Sequence, residues 1–176
     1  MKRSKGLITV VCFLLSISLG YSQDDPPEAL NTKVVTQIGW VVKDIDKTSQ
    51  SFADLFGMEK PNIVITDGYS KTNAHYNGKP TEARAKLAFI RMNNITIELI
   101  EPVGKPSTWQ QYLDEHGEGI HHIAFRIKDM DKTIALLENQ GGKLVQQGDF
   151  TGGSYAYVDM GKQLKTIIEL LSSDDN

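Results

Sequence analysis

Polar and apolar residues alternate along two distant stretches of this chain, and the two stretches are near-copies. In Val35–Val42, Gln37, Gly39 and Val41 face one way while Ile38, Trp40 and Val42 face the other, the two-residue period of a strand. In the second stretch His122, Ala124 and Arg126 oppose Ile123, Phe125 and Ile127. Each residue of "QIGWVVKDIDKT", Gln37 to Thr48, has its counterpart in "HIAFRIKDMDKT", His122 to Thr133, at one offset of 85. The bulky apolar face suits packing on a helix. The face carrying Gln37 and His122 has small neighbours, Gly39 and Ala124, which leaves room beside the sheet. After each strand an aspartate suited to a helix N-cap follows, Asp44 or Asp129. Ile45, Phe52, Leu55 and Phe56 then recur at helical spacing, as do Met130, Ile134 and Leu137. Gly57 ends the first predicted helix and Gly141-Gly142 the second.

Each strand–helix unit runs on into three more strands. The first continues as "NIVIT", "AKLAFIRM", an Asn93-Asn94 turn and "ITIELIEP"; the second as "KLVQQ", "SYAYVDM", a turn at "GKQLK" and "TIIELLSS". Both close on an apolar strand broken by one glutamate, Glu98 or Glu169, now at an offset of 71. The 14 missing residues correspond mainly to the first unit's polar loop, "DGYSKTNAHYNGKPTEAR". Between the units, "EPVGKPSTWQQYLDEHGEG" reads as a linker helix capped by Ser107 or Thr108 and ended by Gly117 and Gly119. A doubled unit fixes architecture before anything else does. The predicted class is α+β: two βαβββ modules related by an approximate two-fold axis, forming a paired half-barrel around a cleft. Module one spans 33–103, the linker helix 104–119 and module two 120–173, together one domain of 33–173.

The N-terminus departs from this pattern. "MKRSK" is basic, "GLITVVCFLLSISLG" is apolar, and "GYS" offers small residues before Gln23. These are the three regions of a secretory signal spanning 1–22, too short and too early for a good membrane span. Residues 23–32, including "DDPPEALN", read as a flexible leader. The expected location is outside the cytoplasm, periplasmic or extracellular, with no membrane attachment after cleavage. Loss of Lys2, Arg3 and Lys5 takes the formal net charge from −3 to −6, which argues against nucleic acid or anionic lipid as a partner. Cys12 is the only cysteine and leaves with the signal, so the mature chain has no disulfide, thiol nucleophile or thiolate ligand.

Four polar residues hold matching places in the repeat: Gln37 and His122 on the opening strands, Glu98 and Glu169 on the closing ones. Equivalent positions near a two-fold axis converge. An amide, an imidazole and two carboxylates are all competent ligands for a divalent metal, and the two carboxylates offset its charge. Four protein ligands on an octahedral ion leave two positions for water or substrate, as a catalytic site requires. His121, alternating to the opposite face from His122, is expected to pack; His116 ends the linker helix, and His75 lies in the polar loop.

With these residues named, the chain resembles the vicinal oxygen chelate superfamily, which includes glyoxalase I, methylmalonyl-CoA epimerase, extradiol dioxygenases and bleomycin-resistance proteins. The likeness covers about Lys33 to Ser173, and its most telling stretches are "IELIEP", "GEGIHHIAFRIKDMDKT" and "IIELL". It implies one divalent metal ion (Ni, Co, Zn or Mn) on Gln37, Glu98, His122 and Glu169. It also implies a glyoxalase- or epimerase-type lyase or isomerase, drawing a proton from beside a chelated substrate oxygen through an enediolate. By the same resemblance Glu169 is the first candidate for the base and Glu98 the second, and a homodimer is expected. "GEGIHHIAF" looks most like the epimerases, whereas the order Gln, Glu, His, Glu looks like some glyoxalases I. Epimerases carry a second carboxylate base on the strand before "IELIEP", where this chain has Lys86 or Leu87 in "AKLAFI".

Two function classes follow: a metal-dependent enzyme acting on a small molecule, or a metal-free binder of small molecules. Export, Gln37 and the absent second base speak for the binder; the complete ligand set speaks for the enzyme. An extradiol-type dioxygenase is a third option, although Gln37 stands where its first histidine belongs. Arg91, Arg126, Tyr155 and Tyr157 share the alternation of the cleft face, where they can hold an anionic group.

Overall fold

A computed structural model describes residues 30–174, so the segment 1–22 read as a signal and most of the span read as a leader lie outside the described residues. In chain order the elements are β1 (Gln37–Val41), α1 (Ile45–Phe56), β2 (Ile63–Ile65), α2 (Tyr69–Thr72), β3 (His75–Tyr76), β4 (Lys79–Pro80), β5 (Arg84–Arg91), β6 (Thr96–Val103), α3 (Thr108–His116), β7 (Gly119–Arg126), α4 (Met130–Asn139), β8 (Lys143–Phe150), β9 (Gly153–Asp159) and β10 (Ile167–Ser173). They build one mixed sheet in the order β2-β5-β6-β1-β7-β10-β9-β8-β3-β4, curled as a half-barrel. Among the described residues no helix is long and apolar enough to cross a membrane.

The repeat is visible in the register. β1 and β7 meet antiparallel at the centre, pairing Gln37 with Ala124 and Gly39 with His122. The offset of 85 turns Gln37 into His122 and Gly39 into Ala124, so the two pairs exchange, as a two-fold axis between the strands demands. Outside them, β6 runs parallel to β1 and sets Glu98 beside Gly39. β10 runs parallel to β7 and sets Glu169 beside Ala124. Each glutamate is thus one strand away from the axis on its own side.

The predicted helices start and stop for local reasons. The Asp44 side chain accepts from Lys47 N at 2.9 Å, and Asp129 accepts from Lys132 N at 3.0 Å, each covering a donor that the first turn leaves free. Gly57 caps α1 in the left-handed conformation at φ 61°, which side chains other than glycine resist. The linker helix α3 is capped by Ser107, which accepts from Gln110 N at 3.1 Å. Each module packs its helix on the outer face of its strands. Ile45 with Phe52 meets Val42, Ile90 and Leu99 in the first; Ile134 with Leu137 meets Val158, Ile168 and Leu170 in the second. Leu30, within the span read as leader, packs on the second of these cores. A third cluster of Val41, Ala85, Ile100, Trp109 and Tyr157 packs near the end of the cleft occupied by α3.

Two features differ from the pattern read in the sequence. The polar loop of module one is ordered as α2, β3 and β4, and it crosses to the other module. His75 pairs with Gln147 and Tyr76 with Gln146, so β3 extends the sheet beyond β8. A four-residue helix and two-residue strands carry too little periodicity to be seen. One signal was present: Asn77-Gly78, both at positive φ (48° and 74°), is the two-residue hairpin turn that joins β3 to β4. The second feature is a β-bulge. Gly39 pairs with His122 but Trp40 pairs with Ile120, leaving His121 unpaired between them. His121 therefore does not face away from His122. Its ring turns in against that of His122, and strict alternation fails at this one residue.

Candidate metal centre and cleft

Glu98, His122 and Glu169 come together at the axis, the first on β6, the second on β7 and the third on β10. One ligand atom from each lies within 4.8 Å of the other two. His122 Nε2 is 3.1 Å from Glu169 Oε2 and 3.5 Å from Glu98 Oε2. All three side chains are buried, and these three atoms have no hydrogen-bond partner. A buried polar atom left unpaired costs about 1–3 kcal/mol, more if charged. Three that converge on one point are best accounted for by something positive placed between them. The donor set, one imidazole nitrogen and two carboxylate oxygens, fits a divalent ion.

The backbone makes room for this arrangement. The His122 ring lies over Gly39, where a single added methyl would overlap it. The bulge then supplies a partner for the other side of the ring: His121 Nδ1 is 3.0 Å from His122 Nδ1. With Nδ1 so engaged, Nε2 is the atom left facing the carboxylates. His121 Nε2 is in turn 3.1 Å from Thr108 Oγ1, and Thr108 N donates to Gln146 Oε1 at 2.8 Å. The start of the linker helix is thereby tied to the candidate ligand through a buried relay.

Charge follows from burial and neighbours. Burial disfavours the charged form of His122, but the Glu169 and Glu98 carboxylates outweigh it and raise the imidazolium to about 9. Burial pushes the Glu98 carboxyl above its ordinary value, against the opposing pull of His122. His121 is held well below its ordinary value by burial and by the charge of His122, so it is neutral. Burial and the charge of Glu169 push the Tyr157 phenol well above its usual range, so it keeps its proton. Tyr155 is raised to about 12 by burial despite its bond to Gln146.

Over the three residues lies a cavity of about 720 Å³, with Glu98, Glu169 and Gln37 in its lining. Gln37 stands at the position of β1 equivalent to that of His122 on β7. It pairs with Thr96 and Ala124, two residues along β1 from Gly39, and its side chain makes no hydrogen bond among the described residues. The cavity-lining residues of β5 are Leu87, Phe89 and Arg91, while Lys86 pairs with Glu101. No carboxylate of β5 therefore reaches the cleft. Thr66, Asp67, Thr72 and Ala74 of the crossing segment line the cavity too. So do Trp109, whose Nε1 is buried without a partner, and Tyr155 and Tyr157, whose rings pack against it. Tyr155 and Tyr157, on β9, line the cleft as their alternation predicts, whereas Trp109 and His121 were not read as part of the site. Nothing in strand periodicity reveals a bulge, and an aromatic of a linker helix carries no register relative to a sheet.

The family model for the glyoxalase/bleomycin resistance protein/dioxygenase superfamily matches residues 36–158. The chain belongs to this superfamily. Solved structures of similar fold include a hypothetical protein from Bacillus halodurans, 20% identical, covering 81% of this chain and 95% of that one with a TM-score of 0.56. The methylmalonyl-CoA epimerase of Mycobacterium tuberculosis is 22% identical, covering 84% and 94% with a TM-score of 0.54. A variant of the Streptomyces coelicolor epimerase, in complex with 2-nitronate-propionyl-CoA, is 18% identical, covering 80% and 94% with a TM-score of 0.55. In sequence, the chain is 30% identical over 66 residues to the uncharacterized Bacillus subtilis protein YqjC, a stretch of 38% of this chain and 47% of that protein. It thus spans about half the length of that relative. The superfamily fold accounts for the paired modules, and the identities to the epimerases speak for fold alone.

Proposed function

We propose that this superfamily member is a divalent-metal-dependent lyase or isomerase. Its substrate is a small molecule with a carbon acid beside an oxygen that chelates the metal. The observation that carries the reading is the convergence of three buried, unpartnered ligand atoms beneath a cleft of ligand size. His122 Nε2, Glu98 Oε2 and Glu169 Oε2 would hold the ion, with the Gln37 amide oxygen available from the adjacent wall. A bound divalent ion supplies the positive charge that stabilises an enediolate oxygen as the neighbouring proton leaves.

The chain's own groups do the rest. Glu169, on the cavity floor, takes the proton from the substrate carbon and returns it. Glu98 is the alternate base, and burial, by raising its carboxyl, strengthens it as a proton acceptor. Leu87, Phe89 and Leu171 give the cleft apolar walls, which keep water from the site and strengthen electrostatics inside it. Tyr157, protonated and beside Glu169, restrains that carboxylate without competing for its charge. With Leu87 in the cleft and no acid on β5, proton transfer runs through one face, which favours a shuttle by one carboxylate over a two-base epimerisation.

One observation favours a second reading. His122, charged at neutral pH, lies close enough to both carboxylates to balance them without a metal, as a metal-free binder of small molecules would need. Metal analysis of the purified protein separates the two. Near-stoichiometric Ni, Co, Zn or Mn, lost in His122→Ala and Glu169→Ala, supports the enzyme. Absence of metal, with melting temperature unchanged by chelator or added ion, supports the binder. A screen of oxoacid, thioester and hemithioacetal substrates then assigns the reaction. The basic–apolar–small pattern of 1–22 supports export, so the substrate is one met outside the cytoplasm. N-terminal sequencing of the protein recovered from its native compartment tests that placement: a start at Gln23 agrees and a start at Met1 does not.

A further inference from the structure

We propose that Arg91 and Arg126 form an anion-binding end of the cleft, so that the substrate carries a carboxylate beyond its metal-chelating oxygens. This rests on the reading of the three buried residues as a metal centre.

The register places the two guanidinium groups alike with respect to that centre. Phe89 pairs with Glu98, and Arg91 is two residues further along β5 on the same face. Ala124 pairs with Glu169, and Arg126 is two residues further along β7, again on the same face. Two residues along and one strand across make about 8 Å between Cα atoms in each case. Both arginines line the cavity. Both lie toward the ends of the sheet where β1 and β6 begin, so they approach the cleft from its two sides at one end.

That end is open. Arg91 and Arg126 are exposed there, with Phe150 and Thr151. Elsewhere the lining includes Trp109, Ala74, Ala83 and Tyr157, all buried, as well as Ile65, Asp67 and Lys71, which are exposed. A ligand entering by the first end passes the arginines on its way to the carboxylates.

Neither arginine is committed elsewhere. Among the described residues neither makes an ion pair or a side-chain hydrogen bond. The third cation of the lining, Lys71, is paired with Asp67 at 3.0 Å. The other acids of the cavity lining are Glu98 and Glu169 on its floor, both against His122, and Asp149, exposed at the same end as the arginines but on β8, a strand separated from β7 by β10 and β9. The cleft therefore has an acidic floor, which suits a cation, and a mouth where two arginines outnumber one carboxylate, Asp149, which suits an anion. A planar guanidinium on each side matches the two oxygens of a carboxylate. An acid bound this way would present its other end to the floor.

Two hydroxamates of similar length test this: N-hydroxysuccinamic acid, with a terminal carboxylate, and butyrohydroxamic acid, with a methyl. Their affinities are measured by calorimetry on the protein carrying the metal it retains on purification. The acid should bind at least tenfold more tightly to the wild type, allowing for the exposure of both arginines. That preference should shrink in Arg91→Met and Arg126→Met, vanish in the double variant, and partly return with lysine, while metal content stays unchanged. Equal affinities in the wild type, or a preference that survives in the double variant, overturn the inference and leave the metal centre standing. If no metal is retained, or neither hydroxamate binds, the metal reading fails and the inference falls with it.

Discussion

The two modules share a plan and differ where the chemistry sits. Both open with a strand, cap a helix with aspartate and end on a strand carrying one buried glutamate. At the axis the likeness stops. Module two places His122 where module one has Gln37: an imidazole set between the two glutamates against an amide in the cavity lining. Module one places Gly39 where module two has Ala124, and only the glycine lets a ring lie across its strand. The bulge at His121 has no counterpart on β1. Repetition supplied a scaffold that brings matching positions together, and departures from repetition turned it into a site with one imidazole and a defined direction.

That contrast can be broken most sharply at the cluster. His122→Ala and Glu169→Ala should each abolish metal retention, read by elemental analysis, whereas Gln37→Ala should weaken it by a smaller factor. Equal losses in all three would mean that the modules contribute alike after all. Next in size, Gly39→Ala should cost roughly 3 kcal/mol or more in urea unfolding, because its methyl must displace the His122 ring. The matched change Ala124→Gly should cost only about 1 kcal/mol.

The imidazole also predicts a pH dependence. Its folded value, about 9, lies above the ordinary 6.5, so its contribution is full below 6.5 and is lost as pH rises through 9. Glu98, also raised, acts in the same direction at lower pH. Metal-free protein should thus lose stability on the order of 3 kcal/mol between pH 6.5 and 9, and His122→Gln should flatten the curve. Stability that rises over that interval would remove the imidazolium from the account. Replacing the crossing segment 67–82 by a two-residue turn, as module two has between β8 and β9, should leave a folded protein. Its melting temperature should be lower by a few degrees, since β3 pairs through only two residues. The smallest effects test what the modules share: Asp44→Ala and Asp129→Ala should each cost about 1 kcal/mol, and equally.

Much of this was legible in the chain. Duplication reveals itself as a constant offset, so the equivalence of β1 with β7 and the capping aspartates could be read directly. The glutamates could be read because an acid inside an apolar strand, met twice at equivalent places, needs a reason. What could not be read was whatever depends on one residue out of register or on very short elements. His121 looked outward by alternation, yet a single unpaired residue turned it toward His122. The crossing segment, a strap from one module to the other, looked like loop because its strands are shorter than the period by which strands are recognised, although Asn77-Gly78 marked its hairpin. Gly39 was read as leaving room beside the sheet, and that room is filled by the ring of His122 itself.

The strap has a consequence for how the chain comes together. Residues 75 and 76 find their partners at 146 and 147, so their pairing waits on the synthesis of some seventy later residues. Until then the hairpin has no edge to join, and the first half cannot roof its own concavity. Only when the second half arrives does the seam between them lock, leaving the ribosome-bound intermediate an open trough and the finished protein a covered one.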